Sequence, residues 1–162
     1  MPITNLNHAV LYVRDARRTQ KFYADVLGFE TMIEHPQGAY VFMRAAGSTN
    51  HHDLALFTVG DVPASEAGRR TLGLYHIAWQ VPTLDDLAEM RERLAAAGAL
   101  VGSSDHGTNK SLYARDPDGQ EFEVMWLVPA EHWGHAAHEA VIEPLDIDAD
   151  KRRFATVGGA DR

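Results

Sequence analysis

Cysteine is absent from the 162 residues. That excludes disulfides, thiolate nucleophiles and cysteine-bound zinc. Long apolar runs are absent too, and nothing approaches the ~20 residues that a membrane-spanning helix needs. Positive charge is scarce: 15 Lys and Arg stand against 23 Asp and Glu, a formal charge of −8. A chain without a basic face is a poor partner for a phosphate backbone, so nucleic acid is excluded as a ligand. The opening MPITNLNHAV has no basic stretch followed by an apolar one. No signal peptide is therefore expected, and the cytoplasm is the expected location.

What is present is an ordinary globular composition, 45% hydrophobic and 23% charged, with nine histidines. The chain also repeats itself. NHAVLYVRDARRTQKFYADVLGF from Asn7 matches YHIAWQVPTLDDLAEMRERLAAAGA from Tyr75, an offset of 68 that lays His8 on His76 and Val13 on Val81. Each copy opens with a strand, His8 sharing a face with Leu6, Val10 and Tyr12, and His76 with Leu74, Ala78 and Gln80. A helix follows in each. The first runs from about Ala16 to Leu27 and stops at Gly28. The second has Thr83 as N-cap with Asp86 three residues on, apolar Leu87, Met90 and Leu94, and Gly98 past its end. Three more strands fit each copy: GFETMIEH, AYVFMRA and HHDLALFTV, then ALVGSS, SLYARD and EFEVMWLV. The turn DPDG joins the last two, with Pro117 pre-setting φ and Gly119 taking the strained position.

The pattern is βαβββ twice, an α+β arrangement. The modules are expected at residues 1–60 and 73–128, with a Gly- and Pro-rich linker at 61–72 and a helical or irregular extension at 129–162 whose end, VGGADR, is expected to be disordered. Within the extension His132, His135 and His138 fall at i, i+3 and i+6, the spacing of one helix face or of a flap. Trp79, Phe122 and Trp126 are expected in the core between sheet and helices.

Aligning the ends of the two copies lays Glu123 on Ala55. A carboxylate among Phe122, Val124, Met125 and Trp126 needs a partner, because an unpaired buried charge costs several kcal/mol. If the modules pack about a pseudo-twofold, His8 and His76 enter one cavity and Glu123 joins them. Two His and one carboxylate form the facial triad that leaves positions open on a divalent metal, commonly non-haem Fe(II). The competing reading is three ordinary side chains: two histidines retained for packing, and Glu123 on a solvated edge beside Glu121.

NHAVLYV, FYADVLGF, YHIAWQV and DPDGQEFEV resemble the landmarks of the vicinal oxygen chelate superfamily, which includes glyoxalases, bleomycin-resistance proteins, fosfomycin-resistance enzymes and type I extradiol dioxygenases. The resemblance covers about residues 5 to 128. It implies paired βαβββ modules forming an open, curved mixed sheet around a metal cavity, with His8, His76 and Glu123 as the ligands. The run His106, GTNKS, Leu112, Tyr113, Ala114-Arg115, DPDG and Glu123 resembles the extradiol dioxygenase fingerprint, departing from it mildly at Ser104. HHDLALF resembles a dioxygenase segment whose histidine, here His52, is the acid/base residue, with His51 in reserve because strict alternation favours it. Many of these enzymes carry four modules; this chain has two, like the small one-domain members.

The resemblance thus implies Fe(II), with Mn(II) as second candidate. It implies a small aromatic diol and O2 as substrates, ring cleavage as the reaction, and a homo-oligomer, dimer or larger. His52 would move the catechol proton, His106 would bond the ligated oxygens or the closing loop, and Tyr113 would donate to a phenolate oxygen. Glyoxalases and epimerases need a fourth ligand where Ala55 stands. A fosfomycin-type thiol transferase shares the three ligands but usually has Thr where Val10 stands. A metal-free drug-binding protein of the same fold typically loses the ligands that this chain keeps.

Overall fold

The computed structural model describes residues 1–64 and 72–155. The expected linker falls largely on residues outside these, and so does VGGADR. Strand β1 (Ala9–Val13) leads to helix α1 (Ala16–Leu27), then β2 (Glu30–Glu34), β3 (Tyr40–Arg44) and β4 (Leu54–Thr58). The second copy repeats the order with β5 (Ile77–Gln80), α2 (Leu84–Ala96), β6 (Leu100–Asp105), β7 (Asn109–Arg115) and β8 (Glu121–Leu127). Each copy hydrogen-bonds as its own four-stranded mixed sheet, β1-β4-β3-β2 and β5-β8-β7-β6, and neither closes into a barrel. The first and last strands of each copy run parallel. With the helices this is an α+β fold. None of the described helices is long and apolar enough to cross a membrane.

The helix boundaries follow local chemistry. The Asp15 carboxylate caps α1 by accepting from the backbone N–H groups of Arg17 and Arg18. Gly28, at φ +78°, ends that helix in the left-handed region open to glycine. Thr83 Oγ1 accepts from Asp86 N at 3.1 Å, the expected cap of α2. Gly98 follows that helix at φ +65°.

Packing divides the described residues into two units: residues 1–64 with the turn Asp116–Gly119, and residues 72–115 with 120–155. In the first unit Leu11, Val13, Val41, Met43, Leu54 and Leu56 are buried with Ala16 and Tyr23 of α1. The Asp118 carboxylate accepts from Arg14 N at 2.8 Å, and Gly119 N donates to Asp116 O, closing the DPDG turn. In the second unit Leu87, Met90 and Leu94 of α2 bury with Leu112, Ala114, Phe122 and Val124.

Three expectations need correction. His8 and His76 lie just before β1 and β5 rather than within them. His51 and His52 likewise precede β4, so strand alternation does not govern which way they point. The tail histidines do not share one helix face. His132 ends the 3-10 turn Ala130–His132, His135 lies in a second turn, Gly134–Ala137, and His138 caps that one. The long helix of the extension is α3 (Ile147–Phe154). Of the three aromatics, Phe122 is fully buried, whereas Trp79 and Trp126 are half-buried, Trp126 packing on Phe154 of α3 at 5.1 Å.

Candidate functional site

Within each copy the strand registers coincide. Val10 pairs with Ala55 across β1 and β4, and Ala78 pairs with Glu123 across β5 and β8. Both pairs differ by the same 68 positions, so Ala55 and Glu123 hold equivalent places in their sheets.

In the first unit His8 is exposed and its ring lies 4.5 Å from that of His52. His52 stacks on Phe42 at 4.9 Å and 15°, and its Nδ1 lies 3.0 Å from His51 Nδ1. Burial, with His8 and His51 beside it, pushes the His52 imidazole below its ordinary pKa, the neighbouring Asp53 acting the other way. The His8 ring is held by Asn7, whose Oδ1 lies 2.8 Å from His8 Nδ1. An amide oxygen only accepts, so Nδ1 carries the hydrogen and Nε2 of the neutral ring presents a lone pair. Asn7 is fixed in turn by Asn50, which donates to the Asn7 carbonyl at 2.9 Å and to Asp53 Oδ1 at 2.8 Å. Asp53 also accepts from Ala45 N and Ser48 Oγ. Burial alone would raise the Asp53 pKa; the bonds from Asn50, Ala45 and Ser48 outweigh it and hold the carboxyl below its usual range.

In the second unit Glu123 is 6% exposed. Its Oε1 accepts from Ser111 Oγ at 2.5 Å and from Asn109 Nδ2 at 3.2 Å. Its Oε2 faces His76 Nε2 at 3.0 Å. The other ring nitrogen of His76 is buried without a hydrogen-bond partner. Tyr113 lies directly across the ladder from Glu123, and its ring stands 5.9 Å from that of His76. Burial, then the Glu123 charge, raises the Tyr113 hydroxyl above its ordinary range. The Tyr113 hydroxyl lies 2.7 Å from His106 Nε2.

The structure therefore brings together His8 and His52 in one unit, and His76, Glu123, Tyr113 and His106 in the other. Among the described residues no group of three or more His, Asp or Glu side chains is assembled as a metal-binding cluster. Sequence reasoning missed the residues that orient these groups: Asn7, Asn50 and Asp53 in the first unit, Asn109 and Ser111 in the second. The only signal was adjacency, Asn7 beside His8, and Ser111 two residues before Tyr113.

The family model described as Glyoxalase/Bleomycin resistance protein/Dioxygenase superfamily matches residues 5–124. The chain is 29% identical over 132 residues to a catechol-2,3-dioxygenase of Bacillus subtilis, covering 80% of this chain and 44% of that protein. It is 35% identical over 121 residues to biphenyl-2,3-diol 1,2-dioxygenase 3 of Rhodococcus globerulus, covering 74% and 62%. It is 27% identical over 126 residues to the metallothiol transferase FosB of Lysinibacillus sphaericus, covering 76% and 82%. The chain thus spans less than two thirds of either dioxygenase. A glyoxylase/bleomycin resistance protein/dioxygenase domain from Frankia sp. EAN1pec shares the fold, with a TM-score of 0.65 at 22% identity over 85% of this chain and all of that one.

Proposed function

The chain belongs to the glyoxalase/bleomycin resistance protein/dioxygenase superfamily, and from that premise we propose that it is a metal-dependent extradiol dioxygenase that cleaves the ring of a catechol-type aromatic with O2. The observation that carries the reading is the second unit's row of Glu123, His76, Tyr113 and His106. It joins a buried carboxylate–imidazole pair to a hydroxyl–imidazole pair across two neighbouring strands.

Two of the residues, His76 and Glu123, have the spacing of ligands to one divalent metal. Donors at adjacent corners of an octahedron, with bonds of about 2.1 Å, stand about 3.0 Å apart. His76 Nε2 and Glu123 Oε2 have that separation. Oε1 is held by Ser111 and Asn109, the outer-shell bonding that orients a ligating carboxylate. His8, with Nε2 left free by Asn7, would be the third ligand. Fe(II), or Mn(II) in second place, would bring diol and O2 together and pass electrons between them.

The chain's own groups supply the rest. His52, held against Phe42, is the imidazole that takes the proton from a catechol hydroxyl and returns it to the product. Tyr113 bonds a diol oxygen, and His106 holds the Tyr113 hydroxyl from behind. Ala55, at the place equivalent to Glu123, supplies no fourth ligand, which weighs against a glyoxalase or epimerase. The likeness to FosB supports a second reading, thiol transfer to an epoxide at the same metal, but that reaction has no use for the Tyr113–His106 pair.

The test is anaerobic loading with Fe(II) followed by O2 uptake on a panel of catechols. Uptake with a ring-opened product is expected, and His52→Phe should keep the metal while losing most turnover. No uptake on any catechol, together with metal-dependent thiol addition to an epoxide, would transfer the assignment to the second reading.

A further inference from the structure

The extension beyond Pro129 has no counterpart in the first copy, yet it is tied to the rest of the second unit at three places. Glu143 pairs with Asp105 as an isolated antiparallel bridge, N to O in both directions at 2.8 and 2.9 Å. Lys110, 1% exposed, ion-pairs with Asp105 of β6 and with Asp150 of α3. Trp133 Nε1 donates to Val128 O at 2.6 Å. Gly107, at φ +73°, leaves room for the extension: a Cβ there would stand 2.5 Å from the Ala136 Cβ. Between these ties the Val141 carbonyl lies 2.8 Å from His106 Nδ1.

A carbonyl can only accept, so His106 Nδ1 carries the hydrogen. In the neutral ring Nε2 is then the acceptor, and the Tyr113 hydroxyl, 2.7 Å away, is the donor. We propose that the C-terminal extension is a positioning strap whose Val141 carbonyl selects the Nδ1-protonated tautomer of His106 and so sets the direction of the Tyr113–His106 hydrogen bond. This rests on the dioxygenase reading for its consequence. With its hydrogen committed to His106, Tyr113 offers substrate the oxygen lone pairs. It therefore receives a hydrogen bond from a diol hydroxyl that still holds its proton. Tyr113 then selects the protonated oxygen of a catechol monoanion, rather than donating to a phenolate as the sequence suggests. Without the strap, His106 is free to take the opposite tautomer, and the Tyr113 hydrogen turns outward.

The direct test is long-range 1H–15N correlation of the histidine rings in the full-length, metal-free protein, comparing wild type with two variants. Glu143→Pro removes the N–H that bonds Asp105, at an exposed position. Gly107→Ala collides with Ala136. Gly98→Ala, which imposes similar backbone strain in open space, is the control. Wild type and Gly98→Ala are expected to show His106 protonated at Nδ1. Glu143→Pro and Gly107→Ala are expected to move it towards the exchanging pattern of a free imidazole. A wild-type His106 protonated at Nε2, or an unchanged pattern in both strap variants, would overturn the proposal. These outcomes need no turnover, so they are separate from the O2-uptake test of the reaction. In the metal-loaded enzyme Glu143→Pro should raise KM for the catechol by roughly five- to tenfold, the worth of one hydrogen bond, with kcat changed by less than about twofold.

Discussion

Glu123 is tolerable in the interior because each of its oxygens has a use: Oε1 takes two hydrogen bonds and Oε2 faces an imidazole. Asp53 solves the same problem with three donors. It locks residues 45–53 and, through Asn50 and Asn7, the His8 ring. Its carboxyl is held below the usual range, so the stabilisation it gives is complete above the unfolded-state pKa and is lost as pH falls through the folded one. Asp53→Asn should therefore cost roughly 2 kcal/mol at neutral pH. Chemical denaturation should show that difference shrinking below about pH 4. A pH-independent difference would assign the cost to packing.

At the scale of elements, α3 and the hairpin of β6 and β7 share one buried cation. Lys110 is the longest side chain buried in the second unit, and both its carboxylate partners, Asp105 and Asp150, are themselves largely covered. Burial raises the Asp150 pKa, and the Lys110 charge beside it opposes the rise. Breaking a buried pair from one side strands the remaining charge. Lys110→Met should thus destabilise by about 3–5 kcal/mol, seen as a lower urea midpoint. Replacing Lys110, Asp105 and Asp150 together by apolar residues should recover much of the loss. The exposed pair Lys21–Asp25 on α1 should contribute well under about 1 kcal/mol by the same assay.

For the whole molecule, a bound metal couples site to stability. A ligand that binds only the folded chain at a hundred times its Kd adds about 2.7 kcal/mol. For a chain of this size that is a rise in Tm of several degrees. Mn(II) should produce it in wild type and leave Glu123→Gln flat. Equal shifts in both would remove Glu123 from the ligand set.

The sequence by itself determined the repeat, and with it the order of elements. Helix periodicity, the Asp15 and Thr83 caps and the glycines at 28 and 98 are local, so α1 and α2 end where the residues say. The 68-residue offset also carried Ala55 onto Glu123, because equivalent strands keep equivalent registers. What the sequence did not decide was how the side chains are oriented. His8 and His76 share a pattern with their strands but precede them. His52 stacks on Phe42, a placement that alternation does not predict. The role of the extension was illegible for the same reason. The Val141 carbonyl is a backbone atom with no residue-type signal, and it reaches His106 only because the Asp105–Glu143 bridge, the Lys110 pairs and the gap at Gly107 bring a distant segment back. Hydrogen-bond direction is a property of such tertiary neighbours, and the chain's one-dimensional pattern does not contain it.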